Sequence, residues 1–460
     1  MYVVASPTSG SLMAPKLGVH ETGSRPTHQT DLRATARLTW QYRLVMWTRQ
    51  IAATLSSRRT IVGVAVGLAL ASAAHGQQPG DRFRIDPRDL PPPFSTPSVA
   101  NPPVAVSRPG GAGLNLPPGF SATIFADRLG HARWIETAPN GDVFLAQPDN
   151  GVVTLLRDSD GDGRADINVP FVQGLRQPHG LAVRQGYLYV ADVDRVWRIP
   201  YRPGETRPAG PREAVTPAGA LGDGGGHWTR NLAFSPDGSR FYVAIGSRGN
   251  LGEESEPRAT VQEFRSDGSN QRTFASGLRN PVGIAFRPGS ADLYVVVNER
   301  DGLGDGLVPD YLTRIENGGF YGWPYAYIGR NPQPRLAERR PDLVARSLVP
   351  DVLFQSHSAP LGLAFYAGTQ FPDDYRGDAF VAFHGSWNAS QTTGYMIVRV
   401  PFTNGRPSGH YEAFATGFAT QGPGRARVWG RPVGLAIADD GSLLAADDVG
   451  NVVWRIQYRR

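Results

Sequence analysis

The stretch GDGGGHWTRN places a histidine, His227, directly behind three glycines and just before an apolar run. An imidazole has an unperturbed pKa of about 6.5, so it is mostly neutral at pH 7 and can accept a proton from a hydroxyl group. Three consecutive glycines give the loop backbone conformations that other residues avoid. The spacing therefore predicts a loop that delivers His227 to the beginning of a strand as a candidate general base.

Polar side chains recur at two kinds of position, just before one apolar run and just after the next. The first set is Arg133, Gln177, His179, His227, Arg230, Arg279, Asn280, His357 and Arg431. The second set is Asp192, Arg248, Asn298, Glu299, Arg300, Asp301, His384, Trp387, Asn388, Asp447 and Asp448. Arginine grips carboxylates and phosphates, whereas Asp and Glu suit a hard cation such as Ca²⁺. If these positions converge, they predict a site for a polyanionic ligand together with Ca²⁺.

A repeated phrase shows why they should converge. An apolar strand, a glycine-containing turn and a second apolar strand occur six times, beginning at Arg133, His179, Arg230, Val282, Leu361 and Val433. The first four copies start about 50 residues apart, which is the spacing of four-stranded propeller blades. We therefore predict an all-β fold, a six-bladed β-propeller. In a blade the innermost strand leaves one face and the second strand returns to it, so both sets of polar residues gather at one channel mouth.

The last repeat lacks a fourth strand, because the chain ends at Arg460 after the phrase NVVWRI. The phrase TIFADRL, which begins at Thr123, matches the outer-strand phrases RTFASGL and EAFATGF. We therefore predict that this N-terminal strand pairs into the last blade and closes the ring. Such closure removes an exposed sheet edge.

The composition excludes several classes of chemistry. The chain has no cysteine, which rules out disulfides, thiolate metal sites and iron–sulfur clusters. Lys16 is the only lysine, so Schiff-base catalysis is not expected. The formal net charge is +6, but the arginines are scattered and no basic run alternates with aromatic residues. Nucleic-acid binding is therefore not expected.

Residues 1–76 have the pattern of an upstream extension followed by a cleavable signal peptide. A basic segment precedes an apolar stretch from Ile61 to Ala74, and small residues follow, so the mature chain should begin near Gln77. The apolar stretch is short for a bilayer span, and we expect no stable membrane anchor. Arg58 and Arg59 leave the twin-arginine route open beside the general one. The prediction is export to the periplasm or the medium, with an uncleaved anchor as the alternative.

Two further segments flank or interrupt the repeats. Residues 77–116 are rich in Pro, Gly and Ser and are predicted to be a linker, which leaves 117–460 as the propeller domain. The phrase RDSDGDGRAD carries Asp158, Asp160 and Asp162 at the spacing of an EF-hand loop, although Val169 stands where a bidentate Glu belongs. It is a candidate structural Ca²⁺ site or, equally, an acidic hairpin turn.

Several phrases resemble the glucose/sorbosone dehydrogenase family, whose members are soluble propellers that use pyrroloquinoline quinone (PQQ) and Ca²⁺. The resemblance rests on GGGHWTRNLAFSPDG, GLRNPVGIAF, NERDGLGD, GGFYGWP and HGSWN, and it runs from about Leu116 to Arg460. It implies an exported oxidoreductase that transfers hydride from a sugar, aldehyde or alcohol to PQQ. A separate electron acceptor is then needed, since the chain has no haem-binding motif.

The resemblance also implies roles for individual residues. His227 falls at the position of the catalytic base, and Arg279 and Asn280 fall beside the quinone carbonyls. The other residues implied to contact the cofactor are Arg427, Arg431, His384, Trp387, Gln177, His179 and Asp447. The residues implied to hold Ca²⁺ or to lie in its loop are Glu299, Arg300 and Asp301, and Asp310 is implied to belong to a neighbouring structural ion site.

Two departures weaken the expectation of glucose as the substrate. The HGSWN loop stands where glucose-oxidising relatives have a lysine, and Arg248 stands where they have a glutamine. Two other functions stay open on the sequence alone, a Ca²⁺-dependent propeller lactonase and a non-catalytic propeller that binds glycans or proteins.

Overall fold

The computed structural model describes residues 77–420 and 425–459, and within them the chain is all-β, as the sequence predicts. The described residues contain a single α-helix, Pro341–Arg346. They also contain three 3₁₀ turns, Pro148–Asn150, Ala337–Arg339 and Asp373–Tyr375. No described helix has the length and apolar character needed to cross a membrane. The predicted upstream extension and signal peptide lie outside the described residues.

Six antiparallel sheets follow one another along the chain, and in each the strands are ordered from an innermost strand outward. Sheet 1 consists of Trp134–Thr137, Val143–Gln147, Val152–Arg157 and Ile167–Val172. Sheet 2 consists of Leu181–Arg184, Tyr187–Ala191, Val196–Pro200 and Glu213–Ala214. Sheet 3 consists of Arg230–Phe234, Arg240–Ile245, Thr260–Arg265 and Arg272–Ser276, with Gly319–Phe320 added in parallel at its edge.

The remaining three sheets have the same antiparallel order. Sheet 4 consists of Asn280–Phe286, Leu293–Asn298, Tyr311–Arg314 and Val352–Leu353. Sheet 5 consists of Pro360–Phe365, Ala379–Phe383, Met396–Val400 and Tyr411–Ala415, with Arg82–Phe83 at its edge. Sheet 6 consists of Pro432–Ile437, Leu443–Asp447, Val452–Tyr458 and Phe120–Ala126. The fourth strand of sheet 6 therefore comes from the N-terminal side of the repeats.

Three smaller strand groups lie outside these sheets. Ala326–Tyr327 pairs with Asn331–Pro332, and Phe402–Thr403 pairs with Arg406–Pro407. The third group consists of Ala419–Thr420, Arg427–Val428 and Val104–Ala105.

The innermost strands of the six sheets contact one another in sequence order, and that of sheet 6 contacts that of sheet 1. They surround a cavity of about 360 Å³. Repeated glycines let these strands approach closely. A Cβ on Gly434 of sheet 6 would lie 2.8 Å from the amide nitrogen of Ile135 in sheet 1, and one on Gly362 would clash with the carbonyl of Val433. The glycine in each GLA or GIA phrase is therefore required because the neighbouring strand leaves no space for a Cβ atom at that position.

Segment 77–116, for which the composition predicts a linker, instead lies against the sheets. The Phe83 ring stacks on that of Tyr411 with centroids 5.0 Å apart, and the Phe94 amide donates to the Leu303 carbonyl at 2.7 Å. Leu114 and Leu116 pack against the core beside sheets 5 and 6. Proline fixes φ and lowers the entropy lost on ordering, so a Pro-rich extended segment can dock through single apolar side chains without a core of its own.

Phe120 tests the pairing of the N-terminal strand with sheet 6. Its ring contacts those of Phe371, Phe414 and Tyr458 at centroid distances of 4.8, 5.0 and 4.9 Å. We predict that Phe120→Ala lowers the free energy of unfolding by about 2–4 kcal/mol, because these contacts are lost and a cavity remains. Urea unfolding measures this loss. Phe94→Ala, at a residue that is 56% exposed, is the control and should change little; an equal effect of the two variants would contradict the docking of Phe120.

Candidate active site

One edge of the sheets collects the polar residues that precede the first strands and follow the second strands. Arg133, before sheet 1, pairs with Asp448, which follows the second strand of sheet 6. The Arg133 guanidinium also lies 5.5 Å from the ring centroid of Trp228, before sheet 3. Asp301, which follows the second strand of sheet 4, lies 3.4 Å from the Nδ1 atom of His357, which precedes sheet 5. These contacts define the mouth, the cluster of polar residues at this edge.

The glycine loop before sheet 3 is shaped by its backbone and by two buried arginines, Arg230 and Arg258, of which Arg258 donates to the Asp223 carbonyl at 2.7 Å. Gly226 has φ +67°, and a Cβ there would clash with the Arg248 carbonyl, so only glycine fits. The Arg230 side chain is fully buried and donates to the carbonyls of Leu221 at 2.9 Å, Asp223 at 2.6 Å and His227 at 3.0 Å. Arg230 therefore ties the backbone of the loop at both of its ends.

The hydrogen bonds of His227 determine its tautomer. Its Nδ1 atom lies 2.8 Å from the Ser247 carbonyl oxygen, which can only accept, so Nδ1 carries the proton. The Nε2 atom then holds the free lone pair, and no described residue hydrogen-bonds to it. Burial, followed by the positive charge of Arg279, lowers the pKa of His227 to about 3. The imidazole is thus neutral and oriented to accept a proton at Nε2.

Arg279 is anchored beside this histidine by neutral groups. Its Nη2 atom donates to the Asn250 Oδ1 atom at 2.9 Å, and its Nε and Nη1 atoms donate to the Asn250 and Asn298 carbonyls at 3.3 Å each. Asp301 is 3.6 Å away. The Trp323 indole donates to the same Asn250 carbonyl at 3.0 Å. Because most of its contacts are to uncharged acceptors, Arg279 brings positive charge to the mouth.

Asn280, the residue after Arg279, has a buried oxygen atom without a hydrogen-bond donor. Its side chain is 8% exposed, and its Oδ1 atom has no hydrogen-bond partner among the described residues. A Cβ on Gly246 would clash with this oxygen and lie 2.6 Å from the His227 Cβ atom. Asn280 and His227 therefore flank one glycine, and a buried acceptor without a donor is a feature that a ligand could satisfy.

Asp301 is held by two neighbouring elements. The Asn388 amide donates to its Oδ1 atom at 2.6 Å, and its own amide donates to the Asn250 side chain at 2.9 Å. Burial alone would raise the pKa of Asp301, but His357, Arg279 and Asn388 together lower it. Asp301 is therefore a carboxylate at the mouth.

The other acidic residues of this loop face inward. The Glu299 Oε2 atom accepts from the Arg300 Nε atom at 2.9 Å, and both side chains are fully buried. Arg300 also donates to the Ala326 carbonyl at 2.6 Å. Asp310 accepts backbone N–H groups of Glu299 at 2.7 Å and Ala359 at 2.8 Å, and burial raises its pKa to about 7. These three side chains fix the loop, whereas Asp301 reaches the mouth.

Asp448 joins three parts of the mouth. It accepts from Arg133, and its Oδ1 atom lies 2.9 Å from the His384 Nε2 atom. His131 lies 3.6 Å away. Burial alone would raise the pKa of Asp448, but His384 and Arg133 hold it well below its usual range. Burial and Arg431 lower the pKa of His384 to about 3, so this imidazole is neutral and donates to Asp448 through Nε2.

Arg431 and Asp447 lie behind His384. The Arg431 Nε and Nη2 atoms donate to the carbonyls of His384 at 2.7 Å and Gly385 at 2.8 Å. Its Nη1 atom hydrogen-bonds to no described residue, and no described carboxylate forms an ion pair with it. Asp447 accepts the Arg431 amide at 2.8 Å, the Gly450 amide at 2.7 Å and the Trp454 indole at 3.2 Å. Both Asp447 oxygens are therefore used within the protein.

The remaining predicted residues lie at different depths. His179 is buried between the rings of Trp134 and Trp228, at centroid distances of 5.0 and 5.4 Å, and its Nδ1 atom bonds to Asn231 at 2.9 Å. A Cβ on Gly224 would lie 3.4 Å from the Gln177 Oε1 atom, beside the glycine loop. Two predicted contacts are exposed. These are Trp387, 52% exposed, and Arg427.

The acidic turn lies at the opposite edge, since it joins the third and fourth strands of sheet 1. Asp158, Asp160 and Asp162 place one carboxylate oxygen each within 4.8 Å of one another. Their oxygens also accept backbone amides within the turn, as in the bond from Gly161 to Asp158 at 2.8 Å. The geometry is compatible with both interpretations, a cation loop and an acidic turn.

Sequence reasoning missed the residues that orient the predicted ones. Asn250, Ser247 and Trp323 hold Arg279 and His227, yet they stand in loops without a repeated pattern. The position of Asp448 in its repeat predicts that it lies at the mouth. The family resemblance, however, assigns the cofactor contact to its neighbour Asp447. The Pro432–Ile437 strand pairs with Leu443–Asp447 up to its last residue. Asp448, the residue just beyond Leu443–Asp447, is therefore the one that faces the mouth.

The described residues form an all-β fold whose mouth carries arginine, histidine and aspartate side chains. Comparison with known proteins identifies the family of the chain. A family model described as TrAA12-like matches residues 114–308 and 342–459. This match exceeds half of the chain, so the chain belongs to the TrAA12-like family.

The chain is also similar to individual proteins of known sequence. An uncharacterized protein from Borreliella burgdorferi is 26% identical over 361 residues, which cover 75% of this chain and 91% of that protein. A pyrroloquinoline quinone-dependent pyranose dehydrogenase from Coprinopsis cinerea is 24% identical over 337 residues. The match covers 63% of this chain and 45% of that enzyme, so the chain spans less than half of the fungal relative's length.

Solved structures share the fold. The holo PQQ domain of the Coprinopsis cinerea pyranose dehydrogenase aligns with a TM-score of 0.64 at 20% identity, over 78% of this chain and 100% of that one. A calcium structure of a Trichoderma reesei AA12 enzyme aligns with a TM-score of 0.62 at 20% identity, over 80% and 100%. The family resemblance drawn from the sequence, to PQQ-dependent sugar dehydrogenases, is confirmed.

Asp448→Asn tests the charge at the mouth. A carboxylate with a depressed pKa stabilises the fold above its unfolded pKa of about 3.9, and this stabilisation is lost as the pH falls through the lower folded pKa. We predict that the variant loses about 3–5 kcal/mol of unfolding free energy at pH 7, because Arg133 is left buried without its partner. The loss should shrink at pH 3. Urea unfolding at both pH values measures it.

The control is Asp439→Asn, an exposed carboxylate whose replacement should be neutral at both pH values. A loss in Asp448→Asn that is equally large at pH 3 and pH 7 would mean that shape, rather than charge, accounts for the effect.

Proposed function

We propose that the protein is a PQQ-dependent oxidoreductase that oxidises a sugar or a related aldehyde or alcohol, with His227 as the base. The observation that carries this proposal is the geometry of His227, a neutral imidazole whose Nε2 atom has no described partner, which flanks Gly246 with Asn280 and lies within the electrostatic influence of Arg279. The family and the fold supply the cofactor class, since the relatives and structural neighbours include PQQ-dependent sugar dehydrogenases.

The six sheets are proposed to be the blades of a propeller closed by the Phe120–Ala126 strand. This is supported by the contact between the inner strands of sheets 6 and 1 and by the pairing of Phe120–Ala126 with Val452–Tyr458. In such a ring, the mouth lies at one end of the central cavity, and its residues come from every sheet.

The mouth fits a planar, polycarboxylated quinone. The Arg431 Nη1 atom and the Asn280 Oδ1 atom lack partners among the described residues, so each can take up a polar group of a ligand. Arg279, Arg431 and the more exposed Arg427 would hold its anionic groups, and His384, Trp387, Gln177 and His179 would line its surroundings. Bound PQQ supplies a two-electron acceptor. We assign Asp447 a positioning role, because it fixes the Arg431 backbone.

The chain's own groups then perform the proton transfer. The His227 Nε2 atom takes the hydroxyl proton of the substrate, and the Ser247 carbonyl stabilises the resulting imidazolium through Nδ1. Arg279 supplies positive charge where negative charge develops, and Asn250 holds its guanidinium in place beforehand. The buried position of His227 keeps it unprotonated in the resting protein.

For Ca²⁺ we propose the loop that contains Asp301. The carboxylate of Asp301 and backbone carbonyls of residues 299–301 are hard oxygen donors of the type that Ca²⁺ prefers. The Arg300 and Asp310 side chains would hold the loop in shape, because they are engaged with Glu299 and with the backbone. Glu299 would hold the loop through its Oε2 atom, and its buried Oε1 atom, which has no described partner, would be a further oxygen donor for the ion. Export and a separate electron acceptor complete the proposal.

His227→Gln tests the base. Glutamine keeps a polar side chain but cannot take up the proton, so PQQ and Ca²⁺ should still bind, and the rate of cofactor reduction by D-glucose or another aldose should fall about 10²–10⁴-fold. Single-turnover stopped-flow absorbance measures that rate. Because the pKa of His227 is about 3, the parent rate should not decline through His227 protonation between pH 8 and pH 5. Reduction at the parent rate in the variant would show that another group is the base, with His179 or His357 the next candidate.

Arg279→Ala tests the electrostatic assignment. Removing a preorganised charge at the reacting end typically costs about 3–4 kcal/mol of barrier. We predict a slower reduction of about 10²–10³-fold with the loaded protein. The matched control is Arg202→Ala, an exposed arginine at the opposite edge. Equal rates for these two variants would refute the role of Arg279.

A further inference from the structure

We propose that residues 94–101, which we call the brace, position Asp301 of the mouth by holding together two loops of neighbouring sheets. The first loop, residues 299–306, follows the second strand of sheet 4. The second loop, residues 384–390, follows the second strand of sheet 5. The brace lies before residue 114, where the match to the family model begins, so the family match assigns it no role.

The brace contacts the first loop at three points. The Phe94 amide donates to the Leu303 carbonyl at 2.7 Å, and the Thr96 Oγ1 atom accepts the Asp305 amide at 2.8 Å. A Cβ on Gly304, whose φ is +120°, would lie 3.0 Å from the Thr96 carbonyl oxygen, so the two backbones pack closely. The brace therefore holds residues 303–305, which follow Asp301 in the same loop.

Asn101 holds the second loop on both sides of Asn388. Its amide donates to the Trp387 carbonyl at 2.7 Å, and its Nδ2 atom donates to the Ala389 carbonyl at 3.1 Å. Asn388 itself is buried, and its side-chain amide donates to the Asp301 Oδ1 atom at 2.6 Å. Because the carbonyls before and after Asn388 are both bound, Asn101 restricts the backbone from which this side chain reaches Asp301.

Asp305 joins the two loops directly. Its carboxylate accepts the Ser390 amide at 2.8 Å and also the Ser390 hydroxyl, while its own amide donates to Thr96. One chain of hydrogen bonds thus runs from Thr96 through Asp305 to the second loop, and another runs from Asn101 and the second loop to Asp301. Because these hydrogen bonds form one contiguous network, a change at one loop should be transmitted to the other.

Prolines limit the conformations that the brace can adopt. One proline lies within it and five flank it, namely Pro97 and then Pro91, Pro92, Pro93, Pro102 and Pro103. Proline fixes φ and so lowers the entropy that is lost when the segment becomes ordered. A segment of this composition can therefore hold two loops through a few hydrogen bonds.

The consequence for the ion rests on the proposed function, in which Asp301 binds Ca²⁺. If the brace holds Asp301 in place before the ion arrives, less ordering is needed on binding, and the affinity for Ca²⁺ is higher. Thr96 and Asn101 are then positioning residues, because they act on Asp301 through other groups.

Hydrogen–deuterium exchange of the chain without PQQ and Ca²⁺ tests the coupling between the loops. Thr96→Val removes a hydrogen bond to the first loop only, and Asn101→Ala removes one to the second loop only. We predict that each variant speeds amide exchange in the opposite loop about three- to tenfold, the usual value of one hydrogen bond. Thr96→Ser, which keeps the hydroxyl, should restore the parent rate.

The matched control is Ser98→Ala, within the brace itself. The Ser98 side chain is exposed and forms no hydrogen bond to the part of the chain that the structure describes, so this variant should exchange as the parent does. Melting temperatures check that the variants are folded. If Asn101→Ala fails to fold, Thr96→Val and its rescue by Thr96→Ser decide the question.

Calorimetric titration with Ca²⁺ alone tests the consequence for the ion. Thr96→Val and Asn101→Ala should each bind Ca²⁺ about three- to tenfold more weakly than the parent, whereas Thr96→Ser and Ser98→Ala should match it. Exchange at the parent rate in the loop opposite each substitution would overturn the brace. Faster exchange with parent-like Ca²⁺ affinity would overturn its positioning of Asp301. A parent that binds no Ca²⁺, with faster exchange in the variants, would refute the proposed ion site and leave the brace intact.

Discussion

The close approach of neighbouring inner strands is the constraint on which the rest of the structure depends. Glycines such as Gly180 and Gly434 leave no room for a Cβ against the next sheet, where the nearest backbone atoms would lie 2.7 and 2.8 Å away. Sheet 3 has Asn231 at this position of the repeat, and its amide donates to the Val282 carbonyl at 2.8 Å while its oxygen meets His179. The strand separation therefore determines how near the loops at one edge come to each other, and with that the distances between His227, Arg279 and Asp448.

A second physical feature is the way in which the buried arginines are satisfied. Arg230 donates to backbone carbonyls and Arg431 to those of His384 and Gly385, and Arg279 donates mainly to Asn250. A carbonyl dipole orients a guanidinium without cancelling its charge, whereas a carboxylate does both. Arg279 and Arg431 therefore keep their charge, and burial together with this charge lowers the pKa values of His227 and His384 to about 3, so that both imidazoles are neutral. The same burial and charge disfavour the imidazolium that forms when His227 takes up a proton, and the Ser247 carbonyl and Asp301 offset part of this effect.

The sequence predicts the part of this arrangement that repeats. Strand periodicity and the glycine phrases indicate an all-β fold, and the topology of a repeat places His227, Arg279 and Arg431 at one edge. The sequence does not predict the residues whose role arises from non-repeating loops, such as Asn250, which reaches Arg279 and Asp301 across the mouth. The composition of segment 77–116 predicts a linker, whereas the segment lies against the sheets. A high Pro and Gly content indicates that a segment cannot form a core of its own, but it does not indicate whether the segment docks on the rest of the protein. Docking depends on single side chains, among them Phe83 against Tyr411.

Whether this mouth holds one quinone cofactor is decided by absorbance titration of the purified chain with PQQ, with and without Ca²⁺. We predict saturable binding of one PQQ per chain that strengthens with Ca²⁺, and bleaching of the bound quinone's absorbance when an aldose is added. Absence of PQQ binding under both conditions would contradict this assignment. So would a chain whose bound PQQ stays oxidised when an aldose is added and which instead hydrolyses a sugar lactone.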